Sequence, residues 1–163
     1  MRWLVILCVA CASAPAPKPV PKPGVAGPHT TSAGSSFIVP TGWTVADTGP
    51  MTVLTPRDAA DSHVVLIEST SGDPDSARDD AWKLYRPDFK LPIAKTDEAN
   101  GRNGWQQTRQ YTYEPPPDAD RTVVLTVAFA SGHWTVAILD VSNAIMNLRT
   151  DDLSTIFDHL KPK

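Results

Sequence analysis

Cysteine is scarce: the 163-residue chain has two, Cys8 and Cys11. Beyond them no disulfide can form, and no thiolate can serve as nucleophile or metal ligand. A dominant charge of one sign is also missing, because 15 basic and 18 acidic residues leave a net charge of −3. That balance gives neither the basic footprint of a nucleic-acid-binding protein nor a patch for acidic membranes. Long hydrophobic runs are lacking too: the stretch Trp3 to Ala10, after Met1-Arg2, is too short to span a bilayer. No Gly-x-Ser-x-Gly elbow, Ser-x-x-Lys, His-Glu-x-x-His or glycine-rich phosphate loop occurs. The common hydrolase, zinc-protease and nucleotide sites therefore have no residues to build on.

What is present begins with an address. One positive charge followed by a short apolar stretch reads as a bacterial export signal over residues 1–10. Its end, Cys8-Val9-Ala10-Cys11, resembles a lipobox, with Cys8 where leucine is usual. The resemblance implies cleavage before Cys11 and diacylglyceryl attachment to it, and hence a membrane partner reached through a lipid anchor. Each buried acyl methylene contributes about 0.8 kcal/mol, so two or more chains hold stably. Cleavage after Ala12-Ser13-Ala14 is the competing reading, and Pro15 opposes it. Residues 11–36 then carry six prolines at spacings favouring extended polyproline II, followed by a Thr/Ser/Gly segment. This is the composition of a tether. It places a single domain at residues 37–161.

Within that domain, short β-branched runs end in turn residues at 36–40, 43–46, 51–55 and 63–69. Asp73-Pro74 marks a helix start, and Ala77, Ala81, Leu84 and Tyr85 recur at helical spacing until Pro87 stops it. Residues 105–113 alternate, residues 121–130 form a long strand apolar on both faces, and Ser131-Gly132 turns the chain into a partner at 133–141. Thr150 is expected to cap a last helix with the stripe Leu153, Ile156, Phe157, Leu160. The fold class that follows is α+β: an antiparallel sheet of six to seven strands with two flanking helices.

Four groups of residues carry chemistry worth weighing. His63 and His133 open two strands and, with a carboxylate, are the residues from which zinc would have to be held. Their spacing does not call for it, and no metal or other cofactor is expected. Asp73, Asp75, Asp79 and Asp80 crowd the first helix without the central glycine of a calcium loop, which suits capping and a solvated face. His29 falls in the tether and His159 on the polar side of the last helix. The alternation over 105–113 puts Trp105, Gln107, Arg109, Tyr111 and Tyr113 on one face. Left uncovered, that face is a ligand or partner surface, because Trp, Tyr and Arg are typical anchors. Covered by a helix, it is core.

Phe37-x-Val39-Pro40-x-Gly42-Trp43, Leu66-Ile67-Glu68, Ala81-Trp82 and the closing three strands and helix resemble the PsbP-like superfamily, including DcrB-type envelope lipoproteins. The stretch from Ala81 to Lys90 and Asn103-Gly104-Trp105 resemble, more narrowly, a module ahead of β-lactamase-like serine hydrolase domains in some proteobacteria. The resemblance implies a sheet with flanking helices and a binding or assembly role for a protein or envelope ligand. It also implies a periplasm-facing address, with the outer membrane favoured because Ala12 replaces an inner-membrane aspartate signal. The alternative it implies is an accessory module whose catalytic domain lies outside this chain. The hydrolase nucleophile motif matches no position here, so no catalytic residue carries over.

Overall fold

The computed structural model describes residues 26–163. Nine strands and three helices occur among them. In order these are β1 (Gly27–Thr30), β2 (Ser36–Val39), β3 (Trp43–Thr48), β4 (Met51–Pro56) and β5 (His63–Ser69). Then come α1 (Pro74–Tyr85), β6 (Ile93–Asn100), β7 (Gln107–Tyr113), β8 (Arg121–Ala130), β9 (His133–Ser142), α2 (Asn143–Leu148) and α3 (Thr150–Asp158). Strands β3 to β9 form one antiparallel sheet in the order β3-β4-β5-β9-β8-β7-β6, and β1 pairs with β2 separately. The sheet is thus two meanders, β3–β5 and β6–β9, joined where β5 lies against β9, with α1 as the crossover between them.

Local chemistry explains the firmest elements. Asp73 accepts from the backbone N–H groups of Asp75 and Ser76 at 3.0 Å, Pro74 opens α1, and Pro87 follows its end. In the β8–β9 hairpin, Ser131 (φ 50°) and Gly132 (φ 85°) both adopt the left-handed conformation that matches strand twist in a two-residue turn. The alternation of β8 and β9 then feeds two cores, one on each side of the sheet. Val65, Ile67, Val123, Leu125, Val127, Val136 and Ile138 meet Ala77, Ala81 and Trp82 of α1 on one face. Val64, Leu66, Ala137, Leu139 and Val141 meet Phe37, Trp43, Ile145, Leu153, Ile156 and Leu160 on the other.

Several expectations need correction. The fold begins before Phe37: Gly27–Thr30, expected as tether, hydrogen-bonds to β2 in register, Gly27 facing Val39 and Thr30 facing Ser36. Its rungs are backbone bonds and its side chains are small or polar, so composition alone disguises it. The run 36–40 belongs to this small sheet, and the seventh strand of the main sheet is β6 instead. Every residue of this edge strand is exposed, because neither of its faces is packed against a core, so it shows no apolar alternation. A third helix, α2, is capped by Ser142 and is only six residues long. Thr150 does not cap α3. It is the first helical residue, and its hydroxyl donates back to the carbonyl of Met146 at 2.8 Å. In α1 the docking residue is Trp82, whereas Leu84 faces solvent.

Candidate functional site

The face proposed from the alternation of 105–113 does not survive as one surface. Tyr111 and Tyr113 are buried beneath α1: the Trp82 indole N–H donates to the Tyr113 hydroxyl at 2.7 Å, and the Tyr111 hydroxyl donates to Asp75 at 2.9 Å. Burial pushes the Tyr113 phenol up to about 12. Arg109 spans from Asp75 of α1 to Glu98 of the neighbouring β6, and the Arg78 guanidinium lies 4.8 Å from the centre of the Tyr111 ring. Gln107 stays exposed at the strand start. Trp105 precedes the strand, after a turn through Asn103 and Gly104, and joins the opposite core, where its N–H donates to the Leu160 carbonyl at 3.2 Å. These residues hold the flanking elements onto the sheet.

The other chemistry-bearing residues also separate. His63 stands opposite Asp140 in the β5–β9 pairing, and His133 opens β9 seven residues earlier. At about 3.3 Å per residue they are roughly 23 Å apart, too far to share a metal ion. Among the described residues no group of three or more His, Cys, Asp or Glu side chains is placed to hold one. The α1 aspartates are occupied locally: Asp73 in the cap, Asp79 on Arg78, and Asp80 between Ser71 and Lys83. His29 lies 3.2 Å from Asp47, and His159 bonds the Thr155 carbonyl at the end of α3. Cys11, the expected lipidation site, lies outside the described residues.

A concavity does form where the helices run out. With 6 and 9 residues, α2 and α3 extend about 9 and 14 Å, while seven strands span roughly 29 Å. Helix α3 packs on β2, and α2 packs on β8 and β9, so the β6–β7 side of that sheet face has no roof. The result is a groove of about 620 Å³. Met146, Phe157 and Leu160 form one wall. Val124, Ala128 and Leu139 make an apolar floor, and Thr108, Gln110 and Thr126 place hydroxyl and amide groups across it. Asn100, Arg102 and Asn103 stand at the rim, where Arg102 meets Asp158 at 3.4 Å. The volume and the mixture of apolar lining with a few convergent polar groups are those of a ligand pocket. The lining has one ionisable group, Arg102, and no nucleophile beside a base. Such a lining offers apolar contact and hydrogen bonds to whatever enters the groove. Thr108 and Gln110 were readable as the second face of an alternating strand; that α3 stops short of them was not.

On the opposite face, Asp140 is 1% exposed at the end of β9. Its carboxylate accepts from Arg86 Nη1 at 2.8 Å and from Arg121 Nε at 2.5 Å. Beside it, burial lowers the His63 imidazole below its ordinary 6.5; the Asp140 charge opposes this and Arg121 reinforces it. His63 Nδ1 is 2.9 Å from the Thr55 hydroxyl. A lowered histidine leaves the folded protein binding fewer protons than the unfolded chain just below pH 6.5. Stability therefore falls as pH drops through that window, by at most about 1.4 kcal/mol per pH unit. Urea midpoints measured from pH 7.5 to 5 should show the decline, and His63→Gln should flatten it. A second loss belongs below about pH 4. There protonation removes the hydrogen bonds that hold Asp73 and Asp80 below the usual carboxylate value of 3.8.

No protein-family model and no curated protein sequence matches the chain. Among solved structures it is similar to the solution structure of cyanobacterial PsbP (CyanoP) from Synechocystis sp. PCC 6803. The TM-score is 0.60 at 12% identity, over 94% of this chain and 99% of that one. The fold is PsbP-like. The sequence resemblance thus holds for architecture, with a seven-stranded antiparallel sheet, an added two-stranded pair and three helices. The quoted motif residues are the ones that hold this PsbP-like frame together: Trp43, Trp82 and Trp105 each anchor a helix or terminal segment through an indole N–H.

Proposed function

We propose that this chain is an envelope-anchored, non-enzymatic binding or assembly module that engages an envelope protein or ligand through the groove beneath α2 and α3. The groove carries the reading: it combines an apolar floor with the amide of Gln110 and the hydroxyls of Thr108 and Thr126, and its lining holds no acid–base pair. The lipobox-like Cys8-Val9-Ala10-Cys11 and the proline-rich stretch supply the rest of the proposal, a DcrB-type lipoprotein facing the periplasm, most simply from the outer membrane. Two measurements test it in the native host. Cys11→Ala should abolish labelling by a tagged fatty acid and release the protein from the membrane fraction; unchanged membrane retention would remove the anchor. Gln110→Trp, at an exposed floor position, should weaken binding to the envelope component crosslinked from Thr126 by at least about tenfold. Its melting temperature should stay within a few degrees of wild type. Unimpaired crosslinking would move the site elsewhere. Intact mass separates a lone lipoprotein from the accessory module of a serine hydrolase, which would appear as a much larger species.

A further inference from the structure

A second concavity, of about 780 Å³, opens on the α1 face of the sheet around the Asp140 cluster. Asp140 takes two guanidinium groups for one carboxylate, which leaves one positive charge over. The two arginines are not equivalent. Arg121 is committed: it also donates to the backbone carbonyls of Asp61 and Asp140 and meets the Asp61 carboxylate at 3.5 Å. Arg86 is held by Asp140 through Nη1, and its side chain is 46% exposed. Arg86 lines the cleft with its guanidinium carbon 5.8 Å from the centre of the Phe89 ring, and among the described residues Asp140 is the one side-chain or backbone acceptor its guanidinium meets. A guanidinium fixed at one nitrogen with donors left over is set to take a planar oxyanion in paired hydrogen bonds.

The wall beside it is apolar, formed by Phe89, Leu91, Pro115 and Val123. Phe89 is stacked on Trp82 at 3.4 Å between ring centres, so the wall is rigid. Charge sets the valence of the ligand. Arg86, Arg121 and Lys90 face the cleft against Asp61, Asp88 and Asp140, while burial keeps His63 and Tyr85 uncharged. With the charges balanced, no net field draws in a polyanion, and the exposed Asp61 and Asp88 repel a second negative charge. We infer that this cleft is a binding site for an apolar monocarboxylate, its carboxylate on Arg86 and its body against Phe89, Leu91 and Pro115. A free acid and the C-terminus of a peptide share that chemistry.

The test uses the full-length protein, titrated with N-acetylleucine, N-acetylleucinamide, the peptide Gly-Gly-Leu and inorganic phosphate. Binding is followed by chemical shifts of His63 and Tyr85, which line the cleft, and by intrinsic tryptophan fluorescence. The acid should bind at least about tenfold more tightly than the amide, since a charge-assisted hydrogen bond is lost with the charge. Phosphate should be weaker than the acid. Arg86→Gln should remove the preference for acid over amide, with Arg86→Lys restoring part of it. Tighter binding of Gly-Gly-Leu than of N-acetylleucine identifies a chain terminus as the natural occupant, and the reverse identifies a free acid. Equal affinity for acid and amide in the wild type, or an acid preference that persists in Arg86→Gln, overturns the site. The wild-type comparison decides the matter even if a variant folds poorly.

Discussion

Asp140→Ala should lower the stability of the domain by about 3 kcal/mol and its melting temperature by roughly 10 °C. The reason is asymmetry. A carboxylate that is 1% exposed is tolerated because Arg86 and Arg121 both donate to it and Tyr85 adds a longer contact at 3.4 Å. Removing it leaves two guanidinium groups facing each other with nothing between them. Uncompensated buried charge of this kind costs about 3–5 kcal/mol. The lower end applies because the side chains of Arg86 and Arg121 are 46% and 23% exposed, so water recovers part of their solvation. Losing a single arginine is milder. Arg86→Gln leaves Arg121 on the carboxylate and should cost no more than about 1 kcal/mol. Paired denaturation curves in which the arginine variant proved the worse of the two would refute this account.

Trp43→Ala should be the most damaging single truncation on the opposite face, at about 4 kcal/mol. Trp43 is fully buried at the start of β3, and its indole N–H donates to Asp152 of α3 at 2.9 Å. The same Asp152 oxygen accepts from Arg149, which also reaches Asp58 at 2.7 Å, so the ring sits where an edge strand, a loop and the last helix are fastened together. The substitution opens a cavity and also frees one carboxylate acceptor. Trp43→Phe keeps most of the volume and loses only the N–H, and should cost about 1.5 kcal/mol. If calorimetry gave the two variants equal losses, the hydrogen bond rather than the packing would be the dominant contribution.

Much of this architecture was legible because single residues carry strong local signals. Asp73-Pro74 and Pro87 bracket α1, Ser131-Gly132 announces the central hairpin, and Leu153 and Ile156 fix the buried side of α3, while Leu160, expected on the same stripe, is buried just past the helix end. The parts that escaped lack such signals for physical reasons. Strand β6 has water on both sides and so no reason to alternate, and β1 is held by backbone rungs that leave no mark on composition. The fate of Arg109, Tyr111 and Tyr113 depended on Asp75 and Trp82 of α1, with Asp75 36 residues before Tyr111, and nothing local to the strand shows which face a distant helix will choose. The groove was hidden for a related reason. It is made by where helices stop relative to the width of a sheet, which is a property of the whole chain and of no motif within it.

Ser36 and Lys161 exchange backbone hydrogen bonds at 2.9 Å in both directions, so the last residues of the fold are fastened to the start of β2, which on its other side faces Thr30 at the end of β1. That meeting point makes the domain topologically portable. The chain enters through β1, whose Gly27 faces Val39, and leaves beside Ser36 at the other end of the four-residue β2, so entry and exit share one small sheet and a short spacer would let the domain be spliced into a surface loop of another protein. Joining its ends with a short linker and reopening the chain at the Pro115–Asp118 loop would give a circular permutant whose core contacts all remain.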